Sequence, residues 1–136
     1  MTSFEKIMTQ EEKELLLEDL CARLPYGVKI SIPDLWIQKR EIETLDEIFK
    51  GDDGLYRVNS KGQCIEHIKP YLFPLSSMTE EQDKEFALLQ TSAGKEGFLY
   101  AWNCATMMKW LLENHFDYNC LIEKGLAIDA TNKKIY

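Results

Sequence analysis

At 136 residues the chain has room for one domain of ordinary size. With 45% hydrophobic and 29% charged residues it reads as a globular chain rather than a disordered one, and at a net charge of -7 no basic stripe is available to neutralise nucleic-acid phosphates. No apolar run approaches the ~18 residues of a membrane span, and the acidic first segment lacks the basic start of a signal peptide, so no membrane contact and a cytoplasmic address are expected. The acidity is local. Residues 1–24 carry 3 basic and 6 acidic groups and residues 73–97 carry 2 and 5, both in segments predicted to be surface helices.

Thr9-Gln10-Glu11-Glu12 has the form of a capping box. Behind it, Leu15, Leu16, Leu20 and Leu24 recur at helical spacing, which predicts an amphipathic helix over residues 11–24. Pro25 ends it, because the residue before a proline is pushed out of the α region, and Tyr26-Gly27 completes a turn.

In "VKISI" (residues 28–32), Val28, Ile30 and Ile32 share one face, the pattern of a half-buried strand. Pro33-Asp34 reads as a turn and "LWIQKR" (35–40) as a second strand. Residues 41–49 fit either a short helix or a strand, and strand is preferred. "GDDG" (51–54) is a tight turn and "LYRV" a strand. "NSKG" supplies a hairpin turn, with Gly62 free to take positive φ, and "QCIEHI" returns along "LYRV". The segment therefore predicts an antiparallel sheet of about four or five strands, curled toward an SH3-like partial barrel that hides its edges.

The stretch "IKPYLFPLSSMTEEQDKEF" (68–86) reads as a seam between two parts of one fold. Pro70 cannot donate to a ladder, so the sheet stops there or the strand lies at an edge. Tyr71, Leu72 and Phe73 are expected to be buried. Thr79-Glu80-Glu81-Gln82 opens a second capped helix that runs to about Gln90, with Phe86, Leu88 and Leu89 as its apolar positions. The Pro70-x-x-x-Pro74 spacing departs from the three-residue polyproline repeat and argues against a peptide ligand. Residues 91–97 read as a loop, and 98–114 as a helix that is apolar nearly all round and hence central. A short helix over 118–124 capped by Gly125, an edge strand in "LAID" and a frayed tail at 131–136 complete the chain. The expected class is α+β in a single domain, 1–136: an N-terminal helix (1–25), a β-rich segment (26–72) and a helical segment (73–136).

Cys21, Cys64, Cys104 and Cys120 contain no C-x-x-C pair and sit in apolar patterns, so they read as small buried residues. His67 and His115 are the two histidines, and nothing near zinc-ligand spacing occurs. No phosphate-loop, G-x-S-x-G or H-E-x-x-H motif is present. No catalytic, cofactor-binding or metal-binding residue is assigned. His115 lies five residues before Cys120 and eleven after Cys104, and a histidine beside a cysteine is what nucleophilic catalysis needs. Against it, the apolar patterns around the cysteines raise their pKa, and His115 at a helix end has the simpler role of capping the last carbonyls. "HFDY" (115–118) is the most polar-aromatic cluster and falls at a turn. Tyr26, His115, Phe116 and Tyr118 are therefore the candidate interaction surface, because exposed aromatics anchor interfaces; the competing reading packs Phe116 and Tyr118 in the core.

Three blocks, "DLCARLPYGVKI" (19–30), "IKPYLFPLSSMTEE" (68–81) and "HFDYNCLIEKGLA" (115–127), resemble a set of small uncharacterised proteins of gut Bacteroides-type bacteria, often in phage-like or mobile-element settings. The blocks cover under a third of the chain in the same order, and the resemblance implies a variable β-rich segment between the first two. This sequence departs from the pattern at Phe73, where a basic residue is expected, and at Asn119-Cys120, where a basic residue and a small one are expected. The resemblance implies a bacterial or phage origin and carries over no catalytic residue.

The expected function is that of a non-enzymatic protein-binding or assembly module of phage or mobile-element context, with a protein partner, no cofactor and no direct nucleic-acid contact. One alternative is a small enzyme or ligand-binding protein with a pocket near His115 and Cys120. Another is an acidic decoy that occupies a DNA-binding protein.

Overall fold

The structure, a computed structural model, describes residues 8–34, 39–91 and 97–136. Helix α1 (Gln10–Arg23) starts where the sequence puts it. Thr9 Oγ1 accepts the Glu12 N–H at 3.1 Å, and the Glu12 carboxylate accepts the Thr9 N–H at 3.0 Å, so both halves of the capping box are made. The helix buries Leu16 and Leu20. A 3-10 turn at Leu24–Tyr26, with Pro25 near its start, ends the helix, and Gly27 at φ 70 swings the chain into the first strand.

Eight strands follow among the described residues: β1 (Lys29–Asp34), β2 (Lys39–Thr44), β3 (Ile48–Lys50), β4 (Tyr56–Val58), β5 (Gln63–Cys64), β6 (Lys69–Pro74), β7 (Phe116–Asp117) and β8 (Ile128–Asp129). They form two sheets rather than one curled sheet. A five-stranded sheet runs β2-β1-β6-β7 with β8 also on β6, and β3-β4-β5 make a separate three-stranded sheet; no closed barrel forms among the described residues. The ambiguous stretch 41–49 is strand on both sides of a break, as preferred, with Leu45 buried between β2 and β3. The second strand begins at Lys39 and runs to Thr44; the rest of the expected 35–40 strand, residues 35–38, lies outside the described residues. The hairpin turn at 59–62 is present, with Gly62 at φ 66, but the returning strand pairs for only two residues before a 3-10 turn at Ile65–His67.

Prolines are where the sequence reading errs most. β1 runs straight through Pro33, which was read as a turn, and β6 runs through both Pro70 and Pro74 as the strand that holds the larger sheet together. Backbone groups of successive strand residues face opposite edges, which explains β6. Phe73 donates its N–H to His115 C=O at 2.9 Å on one edge. On the other, Leu72 C=O accepts the Ala130 N–H at 2.8 Å. Pro70 and Pro74 face the Leu72 edge, on either side of it, and the two-residue β8 asks for no donor there. Pro33 likewise lies beyond Ile30 and Ser31, the β1 residues that pair with β6.

That register sets Lys29 opposite Tyr71, but the two backbones do not bond directly. The Tyr136 hydroxyl sits between them, accepting the Lys29 N–H at 2.9 Å and donating to Tyr71 C=O at 2.6 Å. The tail expected to fray is thus pinned at its last residue.

Helix α2 (Glu80–Thr91) opens on the expected cap, Thr79 and Gln82 exchanging bonds of 3.0 and 3.1 Å. Helix α3 spans Gly97–Glu113, and residues 92–96 of the expected loop lie outside the described residues. Trp110, Leu111 and Leu112 are buried, whereas Cys104, Ala105 and Met108 are exposed, so the described part of α3 is not a central helix. Its last turn meets the sheet where Trp110 stacks on Phe116 of β7. Leu88 of α2, expected to be apolar-facing, is 68% exposed; Phe86 and Leu89 do the packing. The expected helix at 118–124 is a turn. Asp117 draws the Leu121 and Ile122 N–H groups onto its carboxylate at 3.0 Å each, and Cys120 at φ 57 is left-handed, a state no α-helix contains.

Two clusters hold the molecule together. One gathers Leu16 and Leu20 of α1, Ile30 and Ile32 of β1, Leu72 of β6, and Val58 and Ile65 beside the smaller sheet. The second gathers Trp110, Leu111 and Phe116, with Phe73, Phe86 and Leu89 against them. Of the three residues expected to be buried at the seam, Tyr71 and Leu72 are, while Phe73 is half-buried against the second cluster, and the run is itself a strand of the larger sheet rather than an exit from it. The cysteines are not buried as expected. Cys21, Cys104 and Cys120 are exposed and Cys64 is half-buried.

Candidate functional site

His115 is the second residue past the end of α3, held at φ 61 with its N–H on Leu112 C=O at 3.2 Å. Its backbone, not its side chain, closes the helix. The imidazole lies flat on the Tyr136 ring, with centroids 3.8 Å apart and planes 11° from parallel. Its Nδ1 is buried without a partner. Burial first, then the Arg23 and Lys29 charges, push its pKa down to about 4, so the ring is neutral at pH 7. Burial pushes the Tyr136 phenol up to about 12. Cys120 is exposed, and no hydrogen bond joins it to His115 among the described residues. The nucleophile–base pair is not assembled.

Phe116 is 1% exposed and stacks on Trp110 at 5.6 Å, so it belongs to the core and not to a surface. Tyr118 is half-buried, with the Arg23 guanidinium 5.0 Å from its ring centre, and burial raises its pKa. Tyr26 is half-buried on the 3-10 turn, and no hydrogen bond or ring contact among the described residues ties it to the other three. The turn at 115–118 is therefore mostly a structural knot.

Arg23 makes it one, and sequence reasoning missed it. Its side chain is fully buried and paired with Asp19 at 2.7 Å, while its Nη2 donates to Phe116 C=O at 2.8 Å. Asn119 donates to the same Asp19 carboxylate at 2.9 Å. One helical turn thus clamps β7 and the following turn against α1. The i,i+4 spacing of Asp19 and Arg23 was visible, but such a pair on a helix is ordinarily solvated. Arg23 Nη1 is left buried without a partner.

A wider opening than any at this turn lies beside α1. A cleft of about 320 Å³ lies between α1 and the smaller sheet. Leu17, Leu55, Tyr56 and Ile65 supply its apolar lining, and Lys13, Glu14 and Glu66 its rim. Lys13 reaches Glu66 at 3.1 Å, a pair that ties the helix to the 3-10 turn after β5. Leu55 and Tyr56 remain 44% and 38% exposed, and the Lys50 ammonium lies 5.7 Å from the Tyr56 ring centre. In the sequence these two residues looked like ordinary strand positions; only the packing of α1 beside them makes a cleft.

Among the described residues no cluster of His, Cys, Asp and Glu gathers for a metal, and no helix is long and apolar enough to cross a membrane. What the fold and the cleft define is a class: an α+β chain with an apolar, charge-rimmed cleft at the edge of its first core. No family model, curated protein or solved structure matches the chain.

Proposed function

We propose that the protein is a non-enzymatic binding module that takes a protein partner in the cleft beside α1. The observation that carries this reading is the pair Leu55 and Tyr56, 44% and 38% exposed, over a floor that includes buried Ile65. An apolar centre with a charged rim is the anatomy of a protein interface. At about 320 Å³ the cleft is at the small end of binding pockets, suited to one or two anchoring side chains of an extended segment. The resemblance of three sequence blocks supports a bacterial cytoplasmic setting, with a phage-like or mobile-element context.

The test is cross-linked capture from a bacterial host lysate, with prophage induced and uninduced, using the wild type, Leu55→Ser with Tyr56→Ser, and Leu75→Ser. Leu75 is 46% exposed but lies away from the cleft lining, so it controls for general stickiness. A stoichiometric partner kept by the wild type and Leu75→Ser and lost by the double variant is expected. Equal capture by all three removes the cleft from the function.

A further inference from the structure

A second opening lies at the opposite core. A cavity of about 250 Å³ is bounded by Phe73, Ser77, Thr79, Gln82, Phe116, Thr131 and Asn132. Four separate parts of the chain meet there: β6 and the 3-10 turn after it, the start of α2, β7, and the C-terminal turn after β8. Every lining side chain is uncharged. Two are phenyl rings, three carry hydroxyls and two carry amides.

The chain's own hydrogen bonds fix what several of these groups have left to offer. Ser77 donates its hydroxyl proton to Pro74 C=O at 2.7 Å, so toward the cavity its oxygen is an acceptor. Thr79 Oγ1 already accepts the Gln82 N–H at 3.1 Å, which leaves its proton to donate. Gln82 spends Oε1 on the Thr79 N–H at 3.0 Å, which leaves its NH₂ to donate. The reciprocal cap therefore locks two donors in place beside an acceptor, before any ligand arrives. Asn132, at the lip, is held at φ 66, a left-handed conformation that costs a non-glycine residue energy.

A charged ligand finds no counter-charge in this lining, and desolvating it there is unfavourable. An apolar ligand leaves the fixed donors unpaired. The fitting ligand is uncharged, has one apolar face for the half-buried Phe73 ring, and carries groups on its edge that both donate and accept. The volume, below the roughly 300–1,000 Å³ of pockets for drug-sized molecules, suits a single ring. We propose that this cavity binds the ring of an uncharged sugar, its C–H face toward Phe73 and its hydroxyls on Ser77, Thr79, Gln82 and Asn132. This site is independent of the cleft beside α1.

The experiment is saturation-transfer NMR on the full chain with the uncharged methyl glycosides of glucose, galactose and mannose, and with glucuronate as the charged control. Gln82→Glu keeps the capping box and adds a favourable charge at the helix start, yet removes the NH₂ donor. Asn132→Gly keeps the left-handed turn without strain and removes the amide. At least one glycoside is expected to receive saturation at its ring C–H protons, glucuronate none, and each variant to weaken binding by about fivefold or more, a loss on the scale of one hydrogen bond, at a melting temperature no lower than that of the wild type. No transfer to any glycoside at about 10 mM, a level that detects even millimolar affinity, overturns the proposal. So does transfer that both variants leave intact, because the sugar then sits elsewhere.

Discussion

His115 joins three roles in one residue: it closes α3 through a left-handed backbone, it stacks on Tyr136, and it stays neutral inside the protein. Its folded pKa of about 4 lies below the 6.5 of a free imidazole. The sign follows from linkage: the neutral ring's contribution to stability is complete above about pH 6.5 and is lost as the pH falls toward about 4. Titration followed by the His115 ring-proton resonances is expected to show no charge change between pH 7 and about 5. A midpoint near the free value would show that solvent reaches the ring and that the stack on Tyr136 is open. Arg23 shows the opposite economy at the same knot. It is fully buried, with Asp19 and Phe116 C=O taking its Nε and Nη2 donors, and removing one partner of such a pair strands the other.

Strand β6 is the element on which the larger sheet depends, since β1, β7 and β8 all pair with it. Leu72 is its midpoint, fully buried in the first core and bonded to Ala130. Leu72→Ala is expected to cost about 2–5 kcal/mol, from lost burial and the cavity left behind. Leu88→Ala, on the face of α2 that is 68% exposed, is expected to change stability by less than about 0.5 kcal/mol. Urea melts of both variants check this. Equal, small losses would mean that β6 is not packed as described. The helices show the same contrast between local and distant causes. Both capping boxes were legible because Thr9 and Glu12, like Thr79 and Gln82, bond within three residues of each other. The burial of α3 was not legible, because an all-round apolar pattern does not say how many elements surround it.

At the scale of the molecule, Asn59 joins the two sheets. It is 2% exposed and sits at φ 56 after β4. Its side-chain oxygen accepts the Asp46 and Glu47 N–H groups at 2.9 and 3.4 Å, and its amide donates to Glu43 Oε1 at 3.0 Å and Thr44 C=O at 2.9 Å. The smaller sheet is thereby fastened to the end of β2. Asn59→Gly keeps the backbone conformation and deletes the four bonds, so its cost isolates them: about 2 kcal/mol or more, given about 1 kcal/mol per bond and the burial of what is left unpaired. Asn59→Ala adds roughly 1 kcal/mol for the left-handed position. Denaturant melts read by separate probes of the two sheets are expected to coincide in the wild type and shift together in both variants. An unchanged midpoint for Asn59→Gly would show that the shared apolar core and the Lys61 pairs with Glu41 and Glu43 join the sheets without it.

The sequence by itself determined the elements whose causes are local. Caps at Thr9 and Thr79, the stop at Pro25, the turns at Gly27 and Gly62 and the burial of Tyr71 and Leu72 all follow from neighbours a few residues away. Tertiary structure decided which strands pair, and that depends on partners far along the chain. The prolines of β6 are tolerated because β8, more than fifty residues later, leaves their edges unasked. The same holds for function. "HFDY" looked like a surface because aromatics at a turn often are one; a buried Arg23 from α1 turned it into a knot and drew Phe116 inward. The cleft beside α1 and the cavity beside α2 were unreadable for the converse reason. Each is made of residues ordinary in their own segments, and only folding brings those segments to one place.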